Sequence, residues 1–399
     1  MKMIVEKEKK LPVLYDGYDI VVAGGGIAGI AAALAATREG KRTLLIERMF
    51  GLGGLATLGL VTIYLPLCDG IGHQVSCGIA EELLYLAIQH GWERDYPDTW
   101  IPEKTEHGTQ RFQVRFNAQV FAAVLERQLQ KDGVDLLYGT TICQVIRKEN
   151  KIEALIVENK DGRSAIPVQG VVDASGDADI FKLAGARTEV FQAGNKLAAW
   201  YYETLDGKNT LHMLGASDVL PEDGDSEAPD MLEAKRISGL DAREITEWLL
   251  KGHAFSLEKF LEKGNVSETH SFSTTATIPQ LRMTRRICGT YTLDEKEAFS
   301  PASDSIGMIG DWRKRGPVYE IPMRTLYDAE LHNVVAAGRC ISVTDAMWDI
   351  TRVIPAAAVT GQAAGTMLAL FADVTQLNVS RLQEKLKENG VKLHVSEVL

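Results

Sequence analysis

What this 399-residue sequence has little of narrows it first. Cysteine is scarce: Cys68, Cys77, Cys143, Cys288 and Cys340 are scattered, and no C-x-x-C pair occurs. Five such residues cannot frame a disulfide scaffold, which points to a reducing compartment and a cytoplasmic protein. Cys68 and Cys77, with eight residues between them, are also too far apart in sequence for a compact redox pair. Positive charge is in deficit, 43 Lys and Arg against 54 Asp and Glu, for a net charge of -11. Nucleic acid is thereby excluded as the main partner, because neutralising phosphates takes clustered cations. The opening MKMIVEKEKK carries charge throughout and lacks the apolar core of a signal peptide. A charge-free stretch from Phe50 to Cys68 is long enough for a membrane span, yet it holds Gly51, Gly53, Gly54, Gly59 and Pro66. It reads as a buried Gly-rich loop, and no membrane partner is expected. Internal repeats and low-complexity tracts are missing too. What is there is a chain of 45% hydrophobic and 24% charged residues with 36 glycines, sized for two or three packed domains.

The apolar run YDIVVA at 18–23, a glycine turn, small residues at helical spacing up to Gly40, and the buried strand RTLLIE form one βαβ unit. Continuous rather than alternating apolar strands predict a parallel sheet covered on both faces. Helices are expected at 78–90 and 117–132, the second opened by Asn117 and closed near Gly133. From Thr141 to Gln169 three strands separated by turn signals predict a β-meander, and VVDAS at 171–175 returns to a buried strand, with a short helix after it ending near Gly185. Between 187 and 325 come aromatic strands at Trp200, Tyr201 and Tyr202, an acidic loop at 221–230, and two amphipathic helical stretches near 241–251 and 256–263. HNVVAAGRC at 332–340 and a long small-residue helix from Pro355 to Phe371, with Gly361 and Gly365 four apart, complete the first unit. The expected division is therefore 1–186, an inserted α+β unit over 187–325, and 326–399.

Gly24-x-Gly26-x-x-Gly29 stands between a predicted strand and helix, and Glu47 ends the next strand 18 residues after Gly29. That is a dinucleotide-binding fingerprint in full context. Gly24 permits the tight turn, Gly26 lets backbone amides approach a pyrophosphate at the helix N-terminus, and Gly29 allows close helix-to-strand packing. Glu47 can accept hydrogen bonds from a ribose. The fingerprint leaves FAD and NAD open. Arg48 and the turn Gly53-Gly54-Leu55-Ala56-Thr57 add a second glycine pair suited to a longer cofactor, whereas no second G-x-G-x-x-G follows a strand, which disfavours a flavin disulfide reductase.

With these motifs the chain resembles the FAD-dependent oxidoreductases of the glutathione-reductase-type flavoprotein fold. DASGDAD at 173–179, AGR at 337–339, IPAAAVTGQAAG at 354–365, IPQLRMTRRICGTYTL at 278–293 and YEIPMRTL at 319–326 resemble one bacterial subfamily of them over residues 18–372. The resemblance implies an α/β protein with a Rossmann-like parallel sheet plus β-meander and an inserted substrate domain. It also implies FAD held by Gly24, Gly26, Ile27, Ala28, Gly29, Glu47, Arg48 and the Gly53–Thr57 turn. Ala174, Ser175 and Gly176 would lie near the adenosine side and Gly338 and Arg339 beside the ribityl-pyrophosphate. The helix start from Arg352 to Ala356, including Ile354, would lie under the flavin pyrimidine edge. Arg339 departs from the acid that many members of the wider fold place there. No His or Cys stands in the Gly-Gly turn, so the FAD is expected to be non-covalent.

Arg282 and Arg352 could hold an anionic ligand through the guanidinium fork, or close ion pairs where domains meet; Arg285 and Arg286 read as such ion pairs. His73 and His270 are the candidate proton carriers, with His212 and Tyr319 suited by residue type alone. Cys68, Asp69, His73 and Cys77 match no zinc spacing, and no metal is expected. The expected activity is hydride transfer between a small polar or anionic metabolite and flavin N5, with Arg282, Arg352, His73 and His270 as catalytic candidates. Reduction of an activated C=C bond and a non-catalytic binding module stay as alternatives, and the sequence names no electron acceptor.

Overall fold

The computed structural model describes residues 10–90, 113–215, 232 and 235–399. The acidic loop 221–230 lies outside the described residues. Five strands form a parallel sheet in the order Val334–Ala336, Gly170–Asp173, Ile20–Ala23, Thr43–Ile46, Asp135–Leu137. The first four are buried at every residue, as continuous apolar strands covered on both faces must be. The chain begins in the middle strand, builds outward to one side, then returns to build the other. A switch point therefore lies between Ile20–Ala23 and Gly170–Asp173, and open α/β sheets bind ligands beyond the carboxyl ends of the strands at such a point.

Two helices fix that region. Ile27–Arg38 and Ile354–Leu370 cross so closely that a Cβ on Gly361 would come 2.2 Å from the Ala28 carbonyl oxygen, and one on Gly365 2.1 Å from that of Ala32. Only glycine fits at these two contacts, which explains the four-residue spacing and why alanine dominates both helices. The N-terminus of the second helix is thereby held beside that of the first. No single helix among the described residues is long and apolar enough to cross a membrane; a bent pair, Asp345–Thr351 with Ile354–Leu370, passes by composition, but Ile354 to Ala369 is buried throughout.

The predicted caps and turns are present. Asn117 accepts a hydrogen bond from the Val120 N–H at 3.0 Å, and Gly133 ends Ala118–Asp132 at φ 87°. The meander runs Thr141–Lys148, Lys151–Asn159, Gly162–Pro167, antiparallel throughout. Phe50–Cys68 is largely buried loop around a short 3₁₀ turn at Gly54–Ala56, with Phe50 itself 81% exposed.

A second sheet places Ala199–Leu205 between Lys208–Leu214 and His270–Thr275. The two helical stretches expected over it are one helix, Ala242–Leu261. Gly252 interrupts the apolar periodicity, but it faces Ala199 and Leu197, and its lack of a side chain lets the helix lie on the strand without a break. The hairpin Ser305–Gly310 with Val318–Pro322 contributes Ile306, Ile309, Tyr319 and Ile321 to the same core as Val21 and Ala363.

Within the second sheet Glu203 is almost fully buried and accepts from Lys263 Nζ at 2.6 Å, His212 Nε2 at 2.7 Å and His270 Nε2 at 2.8 Å. Burial alone would raise its pKa, but Lys263, His270 and His212 together bring it down to about 2. A carboxyl depressed in the folded state contributes stability above its ordinary pKa and loses it as pH falls through the folded value. Glu203→Gln should therefore cost on the order of 3 kcal/mol near neutral pH, with the difference from the parent shrinking between pH 4.5 and about 2. Unfolding midpoints of both proteins across that window measure it; a difference independent of pH would show the carboxylate charge to be immaterial.

Candidate active site

At the switch point the carboxyl ends of the strands open into a cleft that gathers almost every predicted cofactor residue. Gly24, Gly26, Ile27 and Ala28 line it, as do Glu47, Arg48, Gly53, Gly54, Leu55 and Ala56. Ala174, Ser175, Gly176, Gly338, Arg339, Arg352 and Ile354 complete the predicted set on its wall. Gly29 and Thr57 do not line it. A Cβ on Gly29 would lie 1.9 Å from the Gly24 carbonyl oxygen, so this glycine serves helix-to-strand contact. Thr57 is buried and donates to the Leu52 carbonyl, closing the second glycine turn from beneath.

The glycines of the fingerprint divide by what surrounds them. Gly24 sits at φ 108°, with its Cβ position 2.5 Å from the Ala174 carbonyl oxygen, so the fold itself requires glycine there. At Gly26 a Cβ would meet nothing within 4 Å. Among the described residues nothing crowds that position, and Gly26 lines the cleft. Gly26 is also the N-cap of Ile27–Arg38, with no side-chain cap and no acid in the first turn, leaving the first N–H groups to a ligand. Ile354–Leu370 repeats the arrangement: Val353 caps it without a side-chain bond, Pro355 occupies the first turn, and no acid follows. Two helix N-termini thus present uncompensated positive ends to one cleft, a fit for a pyrophosphate-bearing cofactor. Gly53 N–H donates to the Gly25 carbonyl at 2.8 Å, bringing the second glycine turn onto the first.

Glu47 lines the cleft beside the first glycine turn. It is 9% exposed, and its two carboxylate oxygens accept from Gly25 N–H at 2.7 Å and Met49 N–H at 2.8 Å. Each oxygen keeps a second lone pair, so ribose hydroxyls can still donate to it. Behind the cleft lining, Asp173, fully buried, accepts from Ser175 Oγ at 2.6 Å and from Ile180 N–H at 2.9 Å. Burial raises its pKa to about 6, against the lowering effect of the Ser175 hydroxyl. It is a positioning residue that orders the loop carrying Ala174 to Gly176.

Two of the arginines that line the cleft, Arg339 and Arg352, are ion-paired. Arg339 donates from Nε to the Gly176 carbonyl at 2.8 Å, from Nη2 to Asp177 at 2.7 Å, and from Nη1 to the Leu281 carbonyl. The arginine that replaces the usual acid thus ties three segments of the wall together, and Asp177, which also lines the cleft, supplies the carboxylate. Arg352 pairs with Asp349 through Nε at 2.8 Å, lies 5.6 Å from the Trp312 ring centroid, and is mostly buried. Arg352 is thus ion-paired and also lines the cleft. Arg285 joins Asp179 at 2.6 Å, and Arg286 joins Glu189 at 2.8 Å and Asp345.

The other catalytic candidates are elsewhere. His73 is partly exposed and bonds Asp69 Oδ2 at 2.7 Å, outside the cleft's lining. His270 is buried in the second sheet, with Nε2 on Glu203 and Nδ1 3.2 Å from the Asn265 carbonyl, and His212 shares that carboxylate. Tyr319 donates to the Glu295 carbonyl at 3.0 Å. Arg282 is buried without lining the cleft; its backbone N–H donates to Asn195 Oδ1 at 2.7 Å. Leu58, Ile142, Ile278, Pro279 and Leu281 also line the cleft; sequence reasoning gave them no site role of their own, although 278–281 lie in one of the family motifs, because apolar side chains carry no chemical signature.

The profile of the FAD dependent oxidoreductase family matches residues 19–248 and 225–386. Vinyl phenol reductase of Lactiplantibacillus plantarum is 31% identical over 150 residues, 32% of this chain and 30% of that one. L-aspartate oxidase of Mycobacterium tuberculosis is 24% identical over 41% of this chain and 36% of its own length. NADH:fumarate oxidoreductase of Klebsiella pneumoniae is 25% identical over 50% of this chain and 23% of its own. The matches thus span little more than a third of these relatives' length, or less. Among solved structures, a geranylgeranyl bacteriochlorophyll reductase-like protein of Thermoplasma acidophilum aligns over 96% of this chain and 85% of its own, at 14% identity and TM-score 0.44.

Proposed function

The chain belongs to the FAD dependent oxidoreductase family, and from that premise we propose that it moves a hydride between a small polar or anionic metabolite and N5 of a non-covalently held FAD. The observation that carries this reading is the pair of uncapped helix N-termini facing one cleft that Glu47 also lines. Bound FAD supplies a two-electron centre that the side chains lack. Gly26 and the N–H groups after it would hold the pyrophosphate, Glu47 the adenosine ribose, and Gly338 and Arg339 the ribityl side. Arg352 and the N-terminus of Ile354–Leu370 would stabilise negative charge as electrons arrive. Leu58, Ile278, Pro279 and Leu281 would exclude water from the reacting face, and we take residues 187–325 to supply most of the substrate side. The direct test is anaerobic mixing of the holoprotein with a panel of hydroxy and amino acids: bleaching of the flavin's visible band by one of them is the expected result, and a panel-wide failure would count against oxidation of such groups.

A second reading, reduction of an activated C=C bond, draws on the relatives named for vinyl phenol and fumarate. Chemically reduced holoprotein should then be reoxidised by such an alkene in the absence of oxygen.

Arg352 gives a sharper check on either reading. Arg352→Met removes a cation and leaves the buried Asp349 carboxylate without its guanidinium, and both changes disfavour adding electrons nearby. The flavin midpoint potential should fall by roughly 30 mV, the equivalent of about 1.4 kcal/mol for a two-electron couple. Arg352→Lys should recover most of it. A folded Arg352→Met holoprotein with the parent's potential would remove Arg352 from the flavin's surroundings.

A further inference from the structure

A second, smaller cavity shares a wall with the cleft: Ile278 and Pro279 line both. Its volume is about 20 Å³, room for one water molecule or one hydroxyl-sized group. The strand Ala199–Leu205 contributes Trp200, the helix Ala242–Leu261 contributes Trp248 and Ser256, and the loop after Pro279 contributes Gln280. Among the described residues, four that line this cavity each carry a buried atom with no hydrogen-bond partner: Trp200 Nε1, Trp248 Nε1, Ser256 Oγ and Gln280 Oε1. Trp248, Ser256 and Gln280 are no more than 5% exposed. Folds leave few buried polar atoms unmet, and four on one small space call for an occupant.

The atoms state what that occupant must be. An indole N–H can only donate. The Gln280 amide nitrogen is already spent on the Gly59 carbonyl at 2.7 Å, so its oxygen is left to accept. Ser256 can do either. Two fixed donors and one fixed acceptor ask for a group with two lone pairs and one hydrogen, which is a hydroxyl. A carboxylate brings no hydrogen for Gln280, and no Lys, Arg, Asp or Glu lines the cavity to offset a charge. His253, the titratable side chain of the lining, donates from Nε2 to the Ala276 carbonyl at 2.8 Å.

We propose that this cavity seats an uncharged hydroxyl of the substrate, whose apolar body lies along Ile278 and Pro279 toward the cleft. The inference rests on the cleft being the flavin and substrate site; in place of the polar or anionic metabolite named above, it points to uncharged hydroxyl-bearing compounds with an apolar body and a reacting carbon beyond that hydroxyl.

Calorimetric titration of the holoprotein with 4-ethylphenol and with 4-ethylbenzoate tests it. The phenol should bind saturably and the carboxylate weakly. Trp248→Phe, which keeps the ring and removes the N–H, should weaken the phenol about tenfold, the worth of one buried hydrogen bond, and leave the carboxylate unchanged. Ser256→Ala makes the same comparison if Trp248→Phe does not fold. No binding of the phenol, equal binding of both compounds, or an unaltered phenol affinity in the folded variants would overturn the proposal and leave the cavity to an ordered water. Calorimetry reads this without the flavin spectrum. It is run also on FAD-free protein: phenol binding to a protein that takes up no FAD would defeat the flavin reading and with it the assignment of the hydroxyl to a substrate, but not the hydroxyl seat itself.

Discussion

Gly26→Asp is expected to fold at least as well as the parent and to bind no FAD. The new side chain would enter space in which a Cβ meets nothing within 4 Å, so the fold does not resist it. Asp is moreover a favoured N-cap, and a negative charge at a helix N-terminus contributes about 0.3–1 kcal/mol. The same carboxylate would stand where the pyrophosphate must approach, taking its N–H donors and repelling its charge. Stability and cofactor affinity should thus move in opposite directions, a signature that general damage cannot produce. Gly29→Val supplies the contrast: its Cβ would lie 1.9 Å from the Gly24 carbonyl oxygen, and the loss there should be of folded protein. Thermal midpoints of the FAD-free proteins together with FAD titrations distinguish the two outcomes. An FAD affinity within tenfold of the parent's in folded Gly26→Asp would take the pyrophosphate away from this helix.

Glu47→Leu should lower FAD affinity by two orders of magnitude or more. Hydrogen bonds to a charged acceptor contribute about 1.5–3 kcal/mol each, and two from a ribose would suffice. The variant also strips Gly25 N–H and Met49 N–H of their acceptor, so the FAD-free protein should lose about 1–3 kcal/mol of stability. Denaturant unfolding without FAD measures the second effect alone, and fluorescence titration measures the first. A destabilised variant that still binds FAD like the parent would reduce Glu47 to an organiser of the turn.

The parallel sheet, the meander, the two alanine-rich helices and the glycine turns that line the cleft were legible in the amino-acid order. Their causes act over a few residues: the steric freedom of Gly24 and Gly133, the reach of the Asn117 side chain to a backbone N–H three residues on, the run of apolar residues in Val21–Ala23, and the strand–turn–helix spacing around Gly26. Packing overrode local pattern at Gly252, where contact with the neighbouring strand makes one helix of an apparent two. The pairing of charges was not legible either. Arg339 with Asp177 and Glu203 with His270 join residues 162 and 67 positions apart, and 43 cations facing 54 anions admit far too many combinations to choose among without a fold. For the same reason His73 and His270 looked catalytic by residue type, while the closing of the chain put both outside the cleft's lining and brought the apolar Ile278 and Pro279 to its wall instead. Short-range sterics and hydrogen-bond reach are written into neighbouring residues; which distant side chains meet is decided only when the core between them is packed.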